Sequence, residues 1–124
     1  MPRILIVDDS PTETFAIKGI LEKAGFGVLT AVDAEQGMRA AREHKPDLVL
    51  MDVVMPGLNG FQATRQLSRD PETAAIPVVI VTTKNQETDR VWAARQGARA
   101  YLTKPIAERI LLETIRQVLA GAGD

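Results

Sequence analysis

The chain contains no cysteine, only one histidine and few aromatic side chains among its 124 residues. The absence of cysteine excludes disulfides, thiol nucleophiles and thiolate metal sites, and it is compatible with a reducing compartment. The single histidine, His44, lies just before Pro46 at the predicted end of a helix, where a solvated side chain is more common than a metal ligand or a phosphodonor. A metal site in this chain would therefore have to use oxygen ligands.

Long hydrophobic runs and an excess of one charge are absent as well. The N-terminal apolar run Ile4–Val7 stops at Asp8 and Asp9, which makes it too short for a signal sequence or a membrane span. The 15 basic and 16 acidic side chains leave a net charge of -1, so no global field attracts nucleic acid or an anionic membrane. We therefore expect a cytoplasmic protein with no affinity for nucleic acid and no membrane insertion.

The composition is that of one soluble globular domain. Apolar residues make up 45% of the chain and charged residues 25%, which is ordinary for a folded protein. The length suits a single core, and we expect residues 1–124 to form one domain with no output module. The glycine-containing tail, residues 121–124, is expected to be frayed.

Short apolar runs alternate with helical patterns along the whole chain. Five runs predict strands: Ile4–Val7, Gly27–Val32, Leu48–Met51, Val78–Thr82 and Ala100–Leu102. Ser10, Pro11 and Glu13 form a predicted capping box at the first helix, and Asp33 with Gln36 predicts the start of the second. The last three helices are predicted from Asn59 or Gly60 to Leu67, from Asn85 to Gln96 and from Ala107 to Leu119. This alternation predicts an α/β fold with a doubly wound, five-stranded parallel sheet.

Polar residues follow four of the five predicted strands. They are Asp8 and Asp9 after the first strand, Asp52 after the third, Thr82 at the end of the fourth and Lys104 after the fifth. Any of them alone could be a helix-entry or surface residue, but the carboxyl ends of parallel strands share one edge of the sheet. Carboxylates gathered there would repel one another by a few kcal/mol per close pair, at an effective dielectric constant of about 20. A hard cation held by oxygen ligands, Mg²⁺, would relieve that repulsion.

These residue types suit phosphoryl transfer to a carboxylate. Asp52 is the lone acid at the end of the central strand, so it is the candidate nucleophile, which would form an acyl phosphate. Asp8 and Asp9 suit a metal ion, whereas Lys104 and Thr82 suit contact with the transferred phosphoryl group. The sequence therefore predicts a phosphoacceptor site.

Four motifs resemble the receiver domain of two-component response regulators: IVDDS, LVLMDVVMPGLNG, VVIVTT and GARAYLTKP. The resemblance covers essentially the whole chain and implies a flavodoxin-like (βα)5 fold with strand order 2-1-3-4-5. The chain is similar to the single-domain, chemotaxis-type regulators. Its segments IVDDSPTE and MPGLNGFQATRQL resemble the regulators of type IV pilus (twitching) motility in particular.

The resemblance also implies a role for each site residue. Asp52 would accept phosphate from the phosphotransfer domain of a histidine kinase, and Thr82 and Lys104 would contact the phosphoryl group. The implied Mg²⁺ ligands are Asp8, Asp9, Asp52 and the backbone carbonyl of Val54. Tyr101 matches the family's switch aromatic, and Lys104-Pro105 falls where receivers usually have a cis peptide bond.

Two apolar residues fit the predicted core poorly. If Val91 and Ala94 face inward, Trp92 lies about 100° around the fourth helix, and Ile110 lies off the apolar face of the last helix. Trp92 could pack against a neighbouring helix. Alternatively, Trp92, Tyr101 and Ile110 form a surface for an output or motor protein. We expect a monomer or a weak dimer.

Two other functions compete with a signalling switch. An aspartyl-phosphate phosphatase needs a second acid two residues after its nucleophile, where this chain has Val54. A flavodoxin-like cofactor carrier needs a phosphate-binding loop after the first strand, where Asp8 and Asp9 would repel phosphate without a metal.

Since Val54 cannot hold a hydrolytic water, we predict slow loss of phosphate. The effect of Lys84, and whether the protein activates a target or acts as a phosphate sink, stay open.

Overall fold

A computed structural model describes residues 1–121 and shows five strands alternating with five helices. The elements in chain order are β1 (Arg3–Val7), α1 (Pro11–Lys23), β2 (Gly27–Ala31), α2 (Ala34–His44), β3 (Leu48–Met51), α3 (Gly60–Arg69), β4 (Val78–Thr82), α4 (Glu87–Arg95), β5 (Ala100–Thr103) and α5 (Glu108–Gly121). The strands form one parallel sheet in the order β2-β1-β3-β4-β5. The predicted fold is therefore confirmed.

Two hydrophobic layers cover the two faces of the sheet. Because side chains alternate along a strand, Leu5 and Val49 pack on the face covered by α2, α3 and α4, while Ile4 and Leu48 pack on the face covered by α1 and α5. Every residue of β3 and β4 is buried. Polar groups carried by these central strands can therefore reach solvent only where the strands end.

Several element bounds differ from the predicted ones. β2 ends at Ala31, α4 begins at Glu87 instead of Asn85, and α5 runs from Glu108 to Gly121. Gly121, which was expected to begin a frayed tail, thus belongs to a helix, and residues 122–124 lie outside the described part of the chain. No helix within residues 1–121 combines the length and the apolarity that crossing a membrane requires.

The inward face of α4 was predicted incorrectly. Val91 and Ala94 are exposed, whereas Ala93 is fully buried and the helix is followed by the buried Gln96. A small alanine allows α4 to approach the sheet closely, so the larger apolar side chains of this helix face outward. The positions of the apolar residues predict the wrong inward face for α4, because this helix buries only a small side chain.

The capping box predicted at α1 is only half formed. The Ser10 hydroxyl accepts a hydrogen bond from the Glu13 backbone N–H at 3.3 Å, as expected for an N-cap. The Ser10 backbone N–H, however, donates to Asp8 Oδ1 at 2.9 Å, so it does not need the Glu13 carboxylate. By contrast, Asn59 and Gln62 form both bonds of a capping box at α3. The Glu13 side chain is thus available for another partner.

Candidate functional site

Side chains from three strand ends meet at the carboxyl edge of the sheet. The Lys104 ammonium donates hydrogen bonds to Asp8 Oδ2 at 2.8 Å and to Asp52 Oδ2 at 3.2 Å. The side chains of Lys104 and Asp52 are each 9% exposed, and that of Asp8 is 3% exposed. The structure therefore brings together residues that lie 52 and 96 positions apart in the chain, with their side chains almost fully buried.

Glu13 is a member of this cluster that the sequence analysis did not identify as a site residue. Its carboxylate also accepts a hydrogen bond from Lys104. Oxygen atoms of Asp8, Glu13 and Asp52 all lie within 4.8 Å of one another. Helical side chains point back toward the N-terminus of their helix. This direction carries an acid in the first turn of α1 over the sheet edge, and it is the signal that could have revealed Glu13.

The cluster combines one cation with three acids. Burial by itself lowers the pKa of Lys104, but its hydrogen bonds to Asp8 and Glu13 and the charge of Asp52 outweigh this effect and raise the pKa above its ordinary value. The lysine is therefore charged at physiological pH. Three carboxylates against one ammonium leave a formal charge of −2 in the cluster, which favours a further cation.

The donor set fits Mg²⁺. Ligand oxygens about 2.1 Å from an octahedral ion lie roughly 3–4 Å apart, which is close to the 4.8 Å within which the three carboxylate oxygens lie. All three donors are hard oxygen ligands of the kind that this ion prefers. Asp9, which the family resemblance placed among the ligands, is exposed and lies outside the three-carboxylate cluster.

The loop after β3 is held by contacts to its own backbone. Asp52 Oδ1 accepts a hydrogen bond from the Val54 backbone N–H at 3.1 Å, which orients the carboxylate. A Cβ atom at Gly60 would lie 2.1 Å from the Asp52 carbonyl oxygen and 2.7 Å from the Val53 Cα atom. The first residue of α3 must therefore be glycine, because the helix begins directly against the backbone of Asp52.

Comparison with known proteins assigns this arrangement to a family. Residues 4–116 match the model of the response regulator receiver domain. The chain belongs to the response regulator receiver family. The receiver is 66% identical over 121 residues to Protein PilH of Pseudomonas aeruginosa, in an alignment that covers 98% of this chain and 100% of that protein. It also spans about half the length of several transcriptional regulators that it matches.

Solved structures of other receiver domains share the fold of this receiver. A CheY-like receiver domain protein from Methanospirillum hungatei superposes with a TM-score of 0.92 at 29% identity, covering 99% of this chain and 97% of the other. The receiver domain of the sensor histidine kinase PA1611 from Pseudomonas aeruginosa has a TM-score of 0.89 at 28% identity, with 96% and 98% coverage. That structure has a magnesium ion coordinated in its active-site cleft. The three-carboxylate cluster of the present receiver is compatible with the same ion.

Thr82 and Tyr101 are connected through the backbone of Lys84. The Thr82 hydroxyl, which is fully buried, accepts a hydrogen bond from the Lys84 N–H at 3.4 Å. The Tyr101 hydroxyl donates to the Lys84 carbonyl oxygen at 2.7 Å. Lys84 thus joins the carboxyl end of β4 to the aromatic side chain on β5. Lys104 reaches the same strand end through its backbone N–H, which donates to the Thr82 carbonyl at 2.7 Å, and the Lys104–Pro105 peptide bond is cis.

Tyr101 is also held by α4. The Arg90 guanidinium lies 4.9 Å from the centroid of the Tyr101 ring and donates to Thr103 Oγ1 at 3.0 Å. Burial is the main cause that raises the pKa of Tyr101 above 10, and Asp89 raises it further while Arg90 lowers it. The phenol is therefore neutral at physiological pH and donates its hydrogen bond.

The three residues proposed to contact a partner are carried by α4, β5 and α5. Trp92 is 49% exposed and Ile110 is 36% exposed, and Tyr101 is partly buried. Val91, which was expected to face inward, is also exposed, at 46%. Half of the Trp92 side chain is thus left uncovered by the neighbouring helices.

Proposed function

We propose that this receiver is a phosphorylation switch in which Asp52 accepts a phosphoryl group from the phosphotransfer domain of a histidine kinase. The contact that carries this proposal is the 3.2 Å hydrogen bond from the Lys104 ammonium to Asp52 Oδ2, between two side chains that are each only 9% exposed. A cation beside a buried carboxylate can neutralise charge on an incoming phosphoryl group, which is most of what such a transfer requires of a protein. Neither the phosphatase nor the cofactor-carrier alternative is favoured by the family.

In the proposed transfer, an Asp52 carboxylate oxygen forms a bond to phosphorus while the bond from phosphorus to the donor histidine nitrogen breaks. The histidine keeps the electron pair of the broken bond, and Asp52 becomes an acyl phosphate. The Val54 N–H holds the other Asp52 oxygen at 3.1 Å, so the carboxylate is oriented before the reaction. Lys104 would pair with a phosphoryl oxygen, and the Thr82 hydroxyl would donate a hydrogen bond to another.

We further propose that Asp8, Asp9, Asp52 and the Val54 carbonyl hold Mg²⁺, which would supply positive charge against the phosphoryl oxygens when bound. Glu13 is an alternative to Asp9 as the metal ligand, because the Glu13 carboxylate is in the cluster whereas Asp9 is exposed. Titrating the protein with Mg²⁺ while following Trp92 fluorescence distinguishes these two ligand sets. If Glu13 is a ligand, Glu13→Gln weakens Mg²⁺ binding more than Asp9→Asn does, and the reverse result restores the family assignment.

The switch is proposed to work through Thr82 and Tyr101. When the Thr82 hydroxyl bonds to the phosphoryl group, it changes its contact with the Lys84 N–H, and the Lys84 carbonyl moves relative to the Tyr101 hydroxyl. Trp92, Tyr101 and Ile110 would then present an altered surface to an output or motor protein. The receiver signals through that surface or drains phosphate from a second regulator, and it does so as a monomer or weak dimer in the cytoplasm.

We propose that the pathway served is type IV pilus (twitching) motility. The segments IVDDSPTE and MPGLNGFQATRQL support this assignment, together with the 66% identity to the full length of Protein PilH. The chain has no excess of positive charge, so nucleic acid is not expected among its partners. Deletion of the gene should impair surface spreading by pili, and an Asp52→Ala allele should fail to restore it. Normal spreading of the deletion strain would contradict the pathway.

The phosphoacceptor role is tested by mixing the protein with Mg²⁺ and acetyl phosphate while following the fluorescence of Trp92, the only tryptophan in the chain. We expect a change in the wild type and none in Asp52→Ala. Asp47→Ala is the matched control, because Asp47 precedes the same strand at the opposite edge of the sheet. A wild type that does not respond, or an Asp52→Ala variant that does, would refute the proposal.

Slow loss of the phosphate is a separate proposal. The Val54 side chain is 54% exposed and apolar beside Asp52, so it cannot orient a hydrolytic water. We expect Val54→Asn to shorten the half-life of the phosphorylated protein, measured with labelled phosphate. Val91→Asn, which changes a similarly exposed valine on α4, should leave the half-life unchanged. A wild-type half-life of only seconds would be inconsistent with this role of Val54.

A further inference from the structure

The solvent-facing side of α3 carries only arginine and glutamine. Gln62, Arg65, Gln66 and Arg69 are all exposed and follow the spacing of one helical face, and the helix contains no acidic residue. Arg65 and Arg69 lie four positions apart, where like charges weakly destabilise a helix. On α5, by contrast, Arg109 pairs with Glu113 at the same spacing, at 3.1 Å. The exposed face of α3 therefore carries positive charge that no acidic residue of the same helix neutralises.

This face of α3 lines the α2–α3 groove, a cavity of about 560 Å³ to which α2 contributes Arg42 and the loop after β3 contributes Leu58. Its lining contains three arginines and one carboxylate, Asp70, which lies 3.8 Å from Arg42. A formal excess of two positive charges thus collects in one concave surface of a chain whose net charge is -1.

We propose that the α2–α3 groove binds an acidic segment of a partner protein. Guanidinium groups such as those of Arg65 and Arg69 bind carboxylates through paired hydrogen bonds. The amides of Gln62 and Gln66 can bond to the backbone of an extended peptide, and Leu58 offers an apolar contact in the lining of the groove. An excess of only two cations gives few phosphate contacts, which disfavours nucleic acid as the occupant. The residues that line the groove do not include any of the carboxylate cluster, Asp8, Glu13 and Asp52.

The test measures the fluorescence anisotropy of a labelled poly-glutamate peptide mixed with the protein at low salt. We expect Arg65→Glu with Arg69→Glu to weaken binding on the order of tenfold or more, since two attractive contacts become repulsive. The matched control is Arg95→Glu with Arg116→Glu, which makes the same change of net charge at exposed positions of α4 and α5. It should retain binding. Arg65→Gln with Arg69→Gln, which preserves helix propensity, should weaken binding less than the reversal.

Three outcomes would overturn the proposal. They are no measurable binding of the peptide by the wild type, equal loss in the control variant, and tighter binding of a single-stranded oligonucleotide or of phosphatidylglycerol vesicles than of the peptide. Retention of far-ultraviolet circular dichroism by the Arg65 and Arg69 variants ensures that lost binding reports the groove and not unfolding. Phosphorylation of Asp52 is followed in the same samples, so failure of the groove and failure of the phosphoacceptor role are distinguished.

Discussion

Replacement of Lys104 by methionine should destabilise the protein strongly when divalent ions are removed. Methionine has a similar length but carries no charge, so the change removes the one ammonium that faces Asp8, Glu13 and Asp52. The three carboxylates, which lie within 4.8 Å of one another, then lose their cation while they stay buried or partly buried. The substitution thus exposes the repulsion that the wild-type lysine balances.

The distances set the size of the effect. At an effective dielectric constant of about 20, opposite charges attract by about 6 kcal/mol at the Asp8 distance of 2.8 Å and by about 5 kcal/mol at the Asp52 distance of 3.2 Å. Much of this gross attraction is offset by desolvation, because the Lys104 side chain is only 9% exposed. Removing one partner from a buried ion pair typically costs about 3–5 kcal/mol. We expect a loss of that size at pH 7.

Urea unfolding in EDTA, followed by far-ultraviolet circular dichroism, measures the loss. Lys84→Met is the matched control, because the Lys84 side chain is 47% exposed and lies 4.0 Å from Asp89, and exposed pairs contribute about 1 kcal/mol or less. Adding Asp52→Asn to Lys104→Met should recover part of the lost stability, as should Mg²⁺. A loss below about 1 kcal/mol for Lys104→Met in EDTA would refute the electrostatic argument.

Two further predictions concern the loop after β3 and the tyrosine on β5. Gly60→Ala should destabilise the protein by more than about 2 kcal/mol in urea, whereas Gly19→Ala, where an added Cβ meets nothing within 4 Å, should stabilise α1 by up to about 1 kcal/mol. Tyr101 is the only tyrosine, so phenolate absorbance should titrate above pH 10, and Arg90→Met should raise that pKa further. The pKa of Tyr101 is higher in the folded protein than in the unfolded chain, so the free energy of unfolding should fall as the pH rises from 10 toward the folded pKa. A midpoint of the phenolate titration below pH 10 would contradict the assignment.

The sheet was predictable from the sequence because its strands are buried on both faces. Such strands appear as unbroken apolar runs, as Leu48–Met51 and Val78–Thr82 do. The face of α4 was not predictable in the same way. Its contact with the core is made by Ala93, and its largest apolar residue, Trp92, is half exposed. Hydrophobic spacing fails where a short helix packs through a small side chain.

The site was predictable as far as topology determines it. Asp8, Asp52 and Lys104 meet because they follow parallel strands. In the sequence, a capping box with Ser10 is sufficient to explain the Glu13 carboxylate, whereas the structure shows that the Ser10 backbone N–H donates to Asp8 instead. The link through Lys84 uses backbone atoms, which residue identity does not reveal.

The strength of that link limits its role in the proposed switch. Moving a two-state protein from mostly inactive to mostly active takes roughly 5 kcal/mol, whereas one hydrogen bond contributes about 1 kcal/mol net. The bond from Tyr101 to the Lys84 carbonyl therefore cannot supply the whole bias, and most of it must come from the new charge beside Lys104. Tyr101→Phe keeps the ring beside Arg90 and removes only this hydrogen bond. It should change the equilibrium constant between the two states by about fivefold. The Trp92 fluorescence response to acetyl phosphate should therefore be altered but not abolished. Complete loss of the response would show that Tyr101 carries more of the bias than one hydrogen bond allows.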